Sequence, residues 1–261
     1  MTKSPSTQAV LKIEGLSKSF GGIQAVDNVS FSVAVGEMLA LIGPNGAGKS
    51  TCFNMLMGQL KPSTGKITFA GENIVGMTPR QIWRLGVGRT FQITATYPSM
   101  TVIENVQMAL ISDRQRIFSS IRVASRLYRD EAMALLELVG MSAQAARHAA
   151  VLAYGDVKRL ELAIALANSP RLLLMDEPTA GMGPKERIDL MQLTADIVAE
   201  REISALFTEH DMDVVFTHAH RVMVLNRGAL IANGTVDEVR DNPQVQEIYL
   251  GGGTLYASDH A

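Results

Sequence analysis

Residues 38–51 read MLALIGPNGAGKST. The apolar run 38–43 is uninterrupted and stops at a glycine, the pattern of a strand buried on both faces at the centre of a parallel sheet. Gly43 is followed by Pro44, Asn45, Gly46 and Ala47, then by Gly48, Lys49 and Ser50, with Thr51 behind them. This is the spacing of a phosphate-binding loop, and the helix-compatible stretch TCFNMLMGQL follows it. Glycines let successive backbone N–H groups turn around phosphate oxygens with no Cβ in the way. A helix starting near Gly48 aims its positive end at the same anion. Lys49 can reach the β- and γ-phosphates of a nucleotide, and the Ser50 hydroxyl can ligate Mg²⁺. The alternative is a glycine-rich turn with no ligand; the strand before and helix after favour the phosphate loop.

The flanking sequence predicts an α/β protein. VLKIEGL, AVDNVSFSV and KITFAGENI (66–74) alternate as strands do. From about Pro79 to Ala150 the chain turns to helix formers, as in SRLYRDEAMALLELVG (125–140). The apolar runs RLLLMDEP (171–178) and EISALFTEHD (202–211) again read as buried strands. Between them, 184–201 has helical spacing at Ile188, Leu190, Met191, Leu193, Thr194, Ile197 and Val198. A hairpin is predicted at 222–234 and a polar helix near Thr235–Arg240. The expectation is an α/β core with a mostly helical insertion between two groups of strands.

The run 172–175 delivers Asp176 and Glu177 at its end. Ligands in parallel α/β sheets bind beyond the carboxyl ends of strands. Asp176 is therefore placed to hold Mg²⁺, directly or through water, and Glu177 to polarise an attacking water as general base. An acidic pair in an ordinary strand-to-loop turn is the bland reading; the phosphate loop earlier in the chain tips the balance.

Composition narrows the classes. Lys plus Arg number 24 against 26 Asp plus Glu, a net charge of −2 that argues against nucleic acid as partner. A single cysteine, Cys52, excludes an internal disulfide framework and a multi-cysteine zinc site, and packing on the helix is its expected role. The start MTKSPSTQAV lacks a signal peptide's apolar stretch, and no run approaches 18 apolar residues. His218 and His220, two apart, lack a third ligand at metal-site spacing, and scattered methionines such as Met55, Met57 and Met175 read as core. Arg122, Arg126 and Arg129 fall at the spacing of one helical face, read as solvated, with docking onto a membrane subunit or an anionic headgroup as the alternative.

GPNGAGKST, the TFQ at Thr90–Gln92, LAYGD at 152–156, LLLMDEPTAG at 172–181 and TEHD at 208–211 occur in the order of ABC transporter ATPase subunits. The resemblance runs from about Val10 to Leu250. It is nearest to ATPases of branched-chain amino-acid importers, the LivG type, through RTFQ…MTVIENV, DEPTAGMGPKE, EHDMDVVF and the tail LNRGALIANGTVDEVRDNPQVQEIYLG. Members near this subgroup serve urea, amides and other small solutes. The resemblance implies one ABC-type domain over 10–250: a nucleotide-binding core with a β-rich N-terminal subdomain (10–90), an inserted helical subdomain with the signature (91–165), and the core's continuation (166–250), with tails at 1–9 and 251–261. It places Phe20 against adenine, a strand-end core phenylalanine being the alternative, and Gln92 near Mg²⁺ and the attacking water, where the loop also senses membrane subunits. It places His210 at the γ-phosphate, and Tyr97 and Pro98 beside a docking groove.

The family's signature loop, LSGGQ, opens a helix that meets the γ-phosphate held by a partner subunit. Here Leu152 and Gly155 match, whereas Ala153, Tyr154 and Asp156 depart. Ala153 has no hydroxyl to donate; Asp156 suits a helix cap but would repel a phosphate it faced. Gly183 stands where the family's next loop carries aspartate. The resemblance further implies ATP as substrate, with Mg²⁺, and a second ATPase subunit, identical or related. It also implies membrane-spanning permease subunits, an indirect solute-binding protein, and a place on the cytoplasmic face of the cell membrane. Rival readings are an ABC-type ATPase outside transport, regulatory or ribosome-associated, which commonly carries two P-loops or basic additions, and a nucleotide-binding regulator that does not hydrolyse, against which Glu177 and His210 argue. A small-molecule kinase would leave LAYGD and TEHD without a role, and a GTPase would need the NKxD motif, which is absent.

Overall fold

In a computed structural model of the chain, the described residues are 8–90, 96–114 and 127–250. The predicted central strand is β3 (Met38–Ile42), after β1 (Ala9–Phe20) and β2 (Ile23–Ala34), and all five of its residues are buried. Its pleat sends Met38, Ala40 and Ile42 into one hydrophobic core and Leu39 and Leu41 into another. After β3 come α1 (Lys49–Leu56), β4 (Thr64–Phe69), β5 (Glu72–Asn73), α2 (Pro79–Arg84) and β6 (Val87–Thr90). Helices α3 (Val102–Asp113), α4 (Arg129–Leu138) and α5 (Tyr154–Leu166) follow, then β7 (Leu172–Asp176), α6 (Pro184–Arg201), β8 (Ser204–Thr208) and α7 (Met212–His218). The chain ends in the hairpin β9 (Arg221–Asn226) and β10 (Ala229–Gly234), then α8 (Val236–Arg240) and α9 (Pro243–Leu250).

Among the described residues the larger sheet runs β10-β9-β3-β8-β7-β6, parallel except for the β9–β10 hairpin. β7 and β8 split like β3: Leu173, Met175, Ala205 and Phe207 join Met38's core, while Leu172, Leu174 and Leu206 join Leu39's. Burial on both faces explains why these strands read as continuous apolar runs. An antiparallel sheet, β2-β1-β4-β5, and α1 cover one face; α3 to α7 supply the other core. This order sets the ends of β3, β8 and β7 side by side, with Asp176 paired to Thr208.

Three local expectations need correction. Residues 87–90 are a strand, β6, inside the stretch read as helical; four residues, VGRT, are too short to show a period, and pairing with β7 decides their state. Ile188 is 50% exposed although it falls in the predicted apolar stripe of α6, because Leu190, Met191, Thr194, Ile197 and Val198 set the buried face two residues round. Asp156 does not cap its helix: α5 starts two residues earlier, with Ala153 at the cap position and no side-chain hydrogen bond there. The buried Cys52, Met55, Met57 and Met175 pack in the cores, as expected. Burial pushes the Cys52 thiol up to about 12, so it stays protonated. Arg122 and Arg126 lie outside the described residues.

Candidate functional site

The loop after β3 leaves no room for side chains at two of its glycines. A Cβ on Gly43 would collide with the Leu225 carbonyl of β9, and one on Gly48, at φ 108°, with the Ala25 carbonyl of β2. Ala47 O accepts from Gly228 N at 2.9 Å, so the β9–β10 turn buttresses the loop. Lys49 Nζ is buried and donates to the carbonyls of Gly43 (2.6 Å) and Pro44 (3.2 Å). Burial lowers its pKa, and the Glu177 and Asp176 carboxylates pull it back up. Those three side chains therefore share one electrostatic neighbourhood.

Helix α1 has no side-chain cap and no acidic residue in its first turn. Helices α2, α3 and α8 instead close their starts with Thr78–Gln81, Thr101–Glu104 and Thr235–Glu238 capping boxes. The first N–H groups of a helix need a partner; among the described residues no side chain caps those of α1. Pro44, Asn45 and Gly46 complete the loop, and Ser50 and Thr51 fall in the first turn of α1.

At the neighbouring strand ends, Thr208 Oγ1 donates to Asp176 Oδ1 at 2.7 Å and accepts from Glu177 N at 3.0 Å. One hydroxyl thus fixes the plane of one carboxylate and the backbone of the next. Glu177 sits at φ 51°, a left-handed conformation that costs a non-glycine residue roughly 1–2 kcal/mol. Such strain persists only where surroundings over-determine it. His210 Nε2 lies 2.8 Å from Glu177 Oε1. An ionised carboxylate only accepts, so Nε2 carries the proton and donates. Glu209, buried, accepts from Thr179 N (3.0 Å) and Thr179 Oγ1 (2.7 Å) with one oxygen and from His210 N (3.2 Å) with the other. It locks the loop after β7 to the loop after β8. Thr208, Glu209 and Thr179 are site residues beyond those expected from the sequence, although TEHD and DEPT display them: a carboxylate between a buried strand and a histidine is the signal.

Phe20 ends β1 with its ring 49% exposed, Lys18 Nζ standing 5.2 Å from the centroid. It is not a core residue. Gln92 lies outside the described residues; Thr90, just before it, pairs with Met175 next to Asp176. At α5, Tyr154 is 49% exposed, its ring packed by Gly181 and by Lys158 Nζ 5.4 Å from its centroid. Asp156 Oδ2 accepts from Gln144 Nε2 at 2.9 Å, and Gln144 Oε1 accepts from Arg147 at 2.7 Å. That carboxylate is drawn sideways into a polar chain. At Gly155 a Cβ would meet only ordinary contacts with Glu186 and Met182, so packing within the chain does not demand glycine there. Gly183 N donates to Glu186 Oε2 at 3.2 Å at the start of α6. Lys49, Asp176, Glu177 and His210 thus gather at adjacent strand ends, while Phe20 and the α5 start do not join that cluster through any described hydrogen bond.

Residues 26–180, more than half of the chain, match the ABC transporter family, and residues 229–254 match the branched-chain amino acid ATP-binding cassette transporter family. The chain is 42% identical to the high-affinity branched-chain amino acid transport ATP-binding protein LivG of Salmonella typhimurium, covering 94% of this chain and 99% of that one. Its fold resembles the ADP conformation of MJ1267, an ATP-binding cassette of an ABC transporter, with TM-score 0.84 and 33% identity over 94% of this chain and 100% of the other. A dimeric post-hydrolysis state of the cassette MJ0796, bound to ADP and Pi, gives TM-score 0.74 at 25% identity over 87% and 98%. With its phosphate loop, its acidic strand end and homology along nearly its whole length, the chain belongs to the ATP-binding cassette ATPases of the ABC transporter family.

Proposed function

We propose that this ATPase powers an importer of branched-chain amino acids or closely related small solutes. It would do so docked on the cytoplasmic face of membrane-spanning permease subunits. The observation that carries the catalytic reading is the Glu177–His210 contact of 2.8 Å beside the Lys49 loop. The match of the tail to the branched-chain family supports the solute class. No described helix is long and apolar enough to cross a membrane, so permeation would fall to other chains.

In this reading the backbone N–H groups of the loop beyond Pro44, as far as Ser50, and the start of α1 hold the β- and γ-phosphates. Lys49 exchanges its loop carbonyls for phosphate oxygens. Phe20 offers its exposed ring to adenine. Among the described residues no cluster of three or more His, Cys, Asp or Glu could hold a metal unaided. The Ser50 hydroxyl and the Asp176 carboxylate are hard oxygen donors that suit Mg²⁺ shared with a phosphate chain. Bound there, Mg²⁺ would neutralise charge developing on the phosphates. Glu177 takes a proton from the attacking water; His210, donating to Glu177, orients that carboxylate and stands ready for the γ-phosphate; Gln92 approaches the same water. The α5 start, Ala153 to Asp156, covers the nucleotide of a second ATPase subunit. The γ-phosphate is then the differential contact that closes the pair, and its loss opens it.

Phosphate release by the full chain decides the catalytic half: Glu177→Gln should cut turnover at least 100-fold with nucleotide affinity retained, an effect of the size seen for essential acid–base groups. Equal release by the two proteins overturns the base assignment. Co-purification with integral membrane proteins, followed by leucine, isoleucine, valine, urea and amide uptake in vesicles, tests the solute class; urea or amide uptake alone would replace it.

A further inference from the structure

Arg187, in the first turns of α6, makes two directed contacts. Its Nε donates to the Met182 carbonyl at 2.8 Å and its Nη1 to Asp211 Oδ2 at 2.8 Å. Met182 belongs to the segment that leaves Glu177 and leads into α6; Asp211 is the residue after His210. Asp211 is itself committed: its Oδ1 accepts from Asp213 N (3.1 Å) and Val214 N (3.4 Å), capping α7. The carboxylate therefore serves α7 with one oxygen and Arg187 with the other. The guanidinium suits this task because its donors are held in a rigid plane, so two acceptors are fixed relative to each other.

The consequence lies at the Glu177–His210 contact. Glu177 and His210 start loops that leave adjacent strands, β7 and β8, and each loop is pinned twice. On the inner side, Glu209 joins Thr179 to His210 N. On the outer side, Arg187 joins Met182 to Asp211. His210 is held from both ends of its backbone, at its own N–H and at the next side chain. Arg187 and Asp211 are 33% and 26% exposed, a setting in which an ion pair contributes little to global stability. The arrangement serves local geometry better than it serves the fold.

We propose that Arg187 is a positioning residue for hydrolysis, acting through Asp211 to keep the His210 imidazole on Glu177. The proposal rests on the catalytic reading given above. Its test is steady-state ATPase of the full chain beside binding of a non-hydrolysable ATP analogue and thermal melting. Arg187→Ala should lower kcat about tenfold while the analogue Kd changes less than twofold and Tm by only a few degrees. Arg187→Lys, which can reach Asp211 but not both acceptors with fixed geometry, should recover about a third of the wild-type kcat. Asp211→Asn keeps a capping side chain yet loses the charge, and should match Arg187→Ala; the double variant should be no slower than either single one, because one linkage is broken in all three. Unchanged kcat in Arg187→Ala, losses that simply track Tm or Kd, or additive losses in the double variant overturn the positioning role. A Glu177→Gln variant as fast as wild type would instead overturn the catalytic reading, so the two failures are distinguishable.

Discussion

At the residue scale, the phosphate loop separates two reasons for glycine. Gly48 is required by its neighbours as well as by its dihedral: φ is 108°, and a Cβ would strike the Ala25 carbonyl. Gly46 has φ 78° but nothing within 4 Å of a Cβ. Gly48→Ala should therefore destabilise the chain by about 2–4 kcal/mol, combining backbone strain with a steric clash against main chain that cannot swing away. Gly46→Ala should cost only about 1–2 kcal/mol, from the dihedral alone. Urea unfolding of both variants measures the difference; equal losses would show that the close approach of β2 is not what excludes a side chain at 48. The glycines at 43, 46 and 48 were legible in the sequence, but their division into crowded and open positions was not. It depends on Ala25 and Leu225, which come from distant segments.

At the scale of elements, α7 carries a pH response. His218, in its last turn, is buried, and its Nε2 has no hydrogen-bond partner. Burial lowers its pKa below 6.5, with the Asp196 carboxylate of α6 opposing the shift. The folded state thus holds fewer protons than the unfolded state as pH falls through the ordinary histidine range. Stability is full above about 6.5 and declines as pH drops towards the lowered folded pKa. Melting temperatures at pH 7.5 and 5.5 should fall on acidification, and His218→Gln should flatten part of that fall. An identical fall in the variant would assign the response elsewhere. In the sequence His218 stood out only as half of THAH, unsuited to zinc; its burial comes from α7 docking, which no local pattern reports. Capping boxes are the opposite case, since TPRQ, TVIE and TVDE display them in four residues each. Asp156 shows how a cap misleads: an acidic residue near a helix start fits either the cap or the first turn, and Gln144, twelve residues back, resolves the choice.

At the scale of the whole molecule, the two sheets are stitched by Arg221 at the start of β9. Its guanidinium donates to both carboxylate oxygens of Glu37 (2.7 and 3.1 Å), to Asn233 of β10 (2.7 Å) and to the Ser32 carbonyl of β2. Glu37 also accepts from Ala34 N at 2.7 Å, and its side chain is only 5% exposed. Removing the guanidinium leaves a buried carboxylate short of donors. Arg221→Met should cost about 2–3 kcal/mol in urea unfolding, below the fully buried range because Arg221 itself is 25% exposed. A loss under half a kilocalorie would show that the Arg221–Glu37 link does not hold the antiparallel sheet to the parallel one. Nothing in the sequence paired these residues, which lie 184 positions apart.

The glycine-rich loop at 43–51, the acidic end of β7 and the α/β alternation are all legible without coordinates. Each is a short-range pattern: a glycine spacing, an apolar run ending in carboxylates, a change of hydrophobic period. Only long-range packing makes Thr208 hold both Asp176 and Glu177, lets Glu209 and Arg187 bind the loop after β7 to the loop after β8, and turns 87–90 into a strand. These depend on β3, β8 and β7 lying side by side. Strand order is fixed by packing between segments far apart in the chain, and local residue patterns carry no information about which distant strand becomes a neighbour.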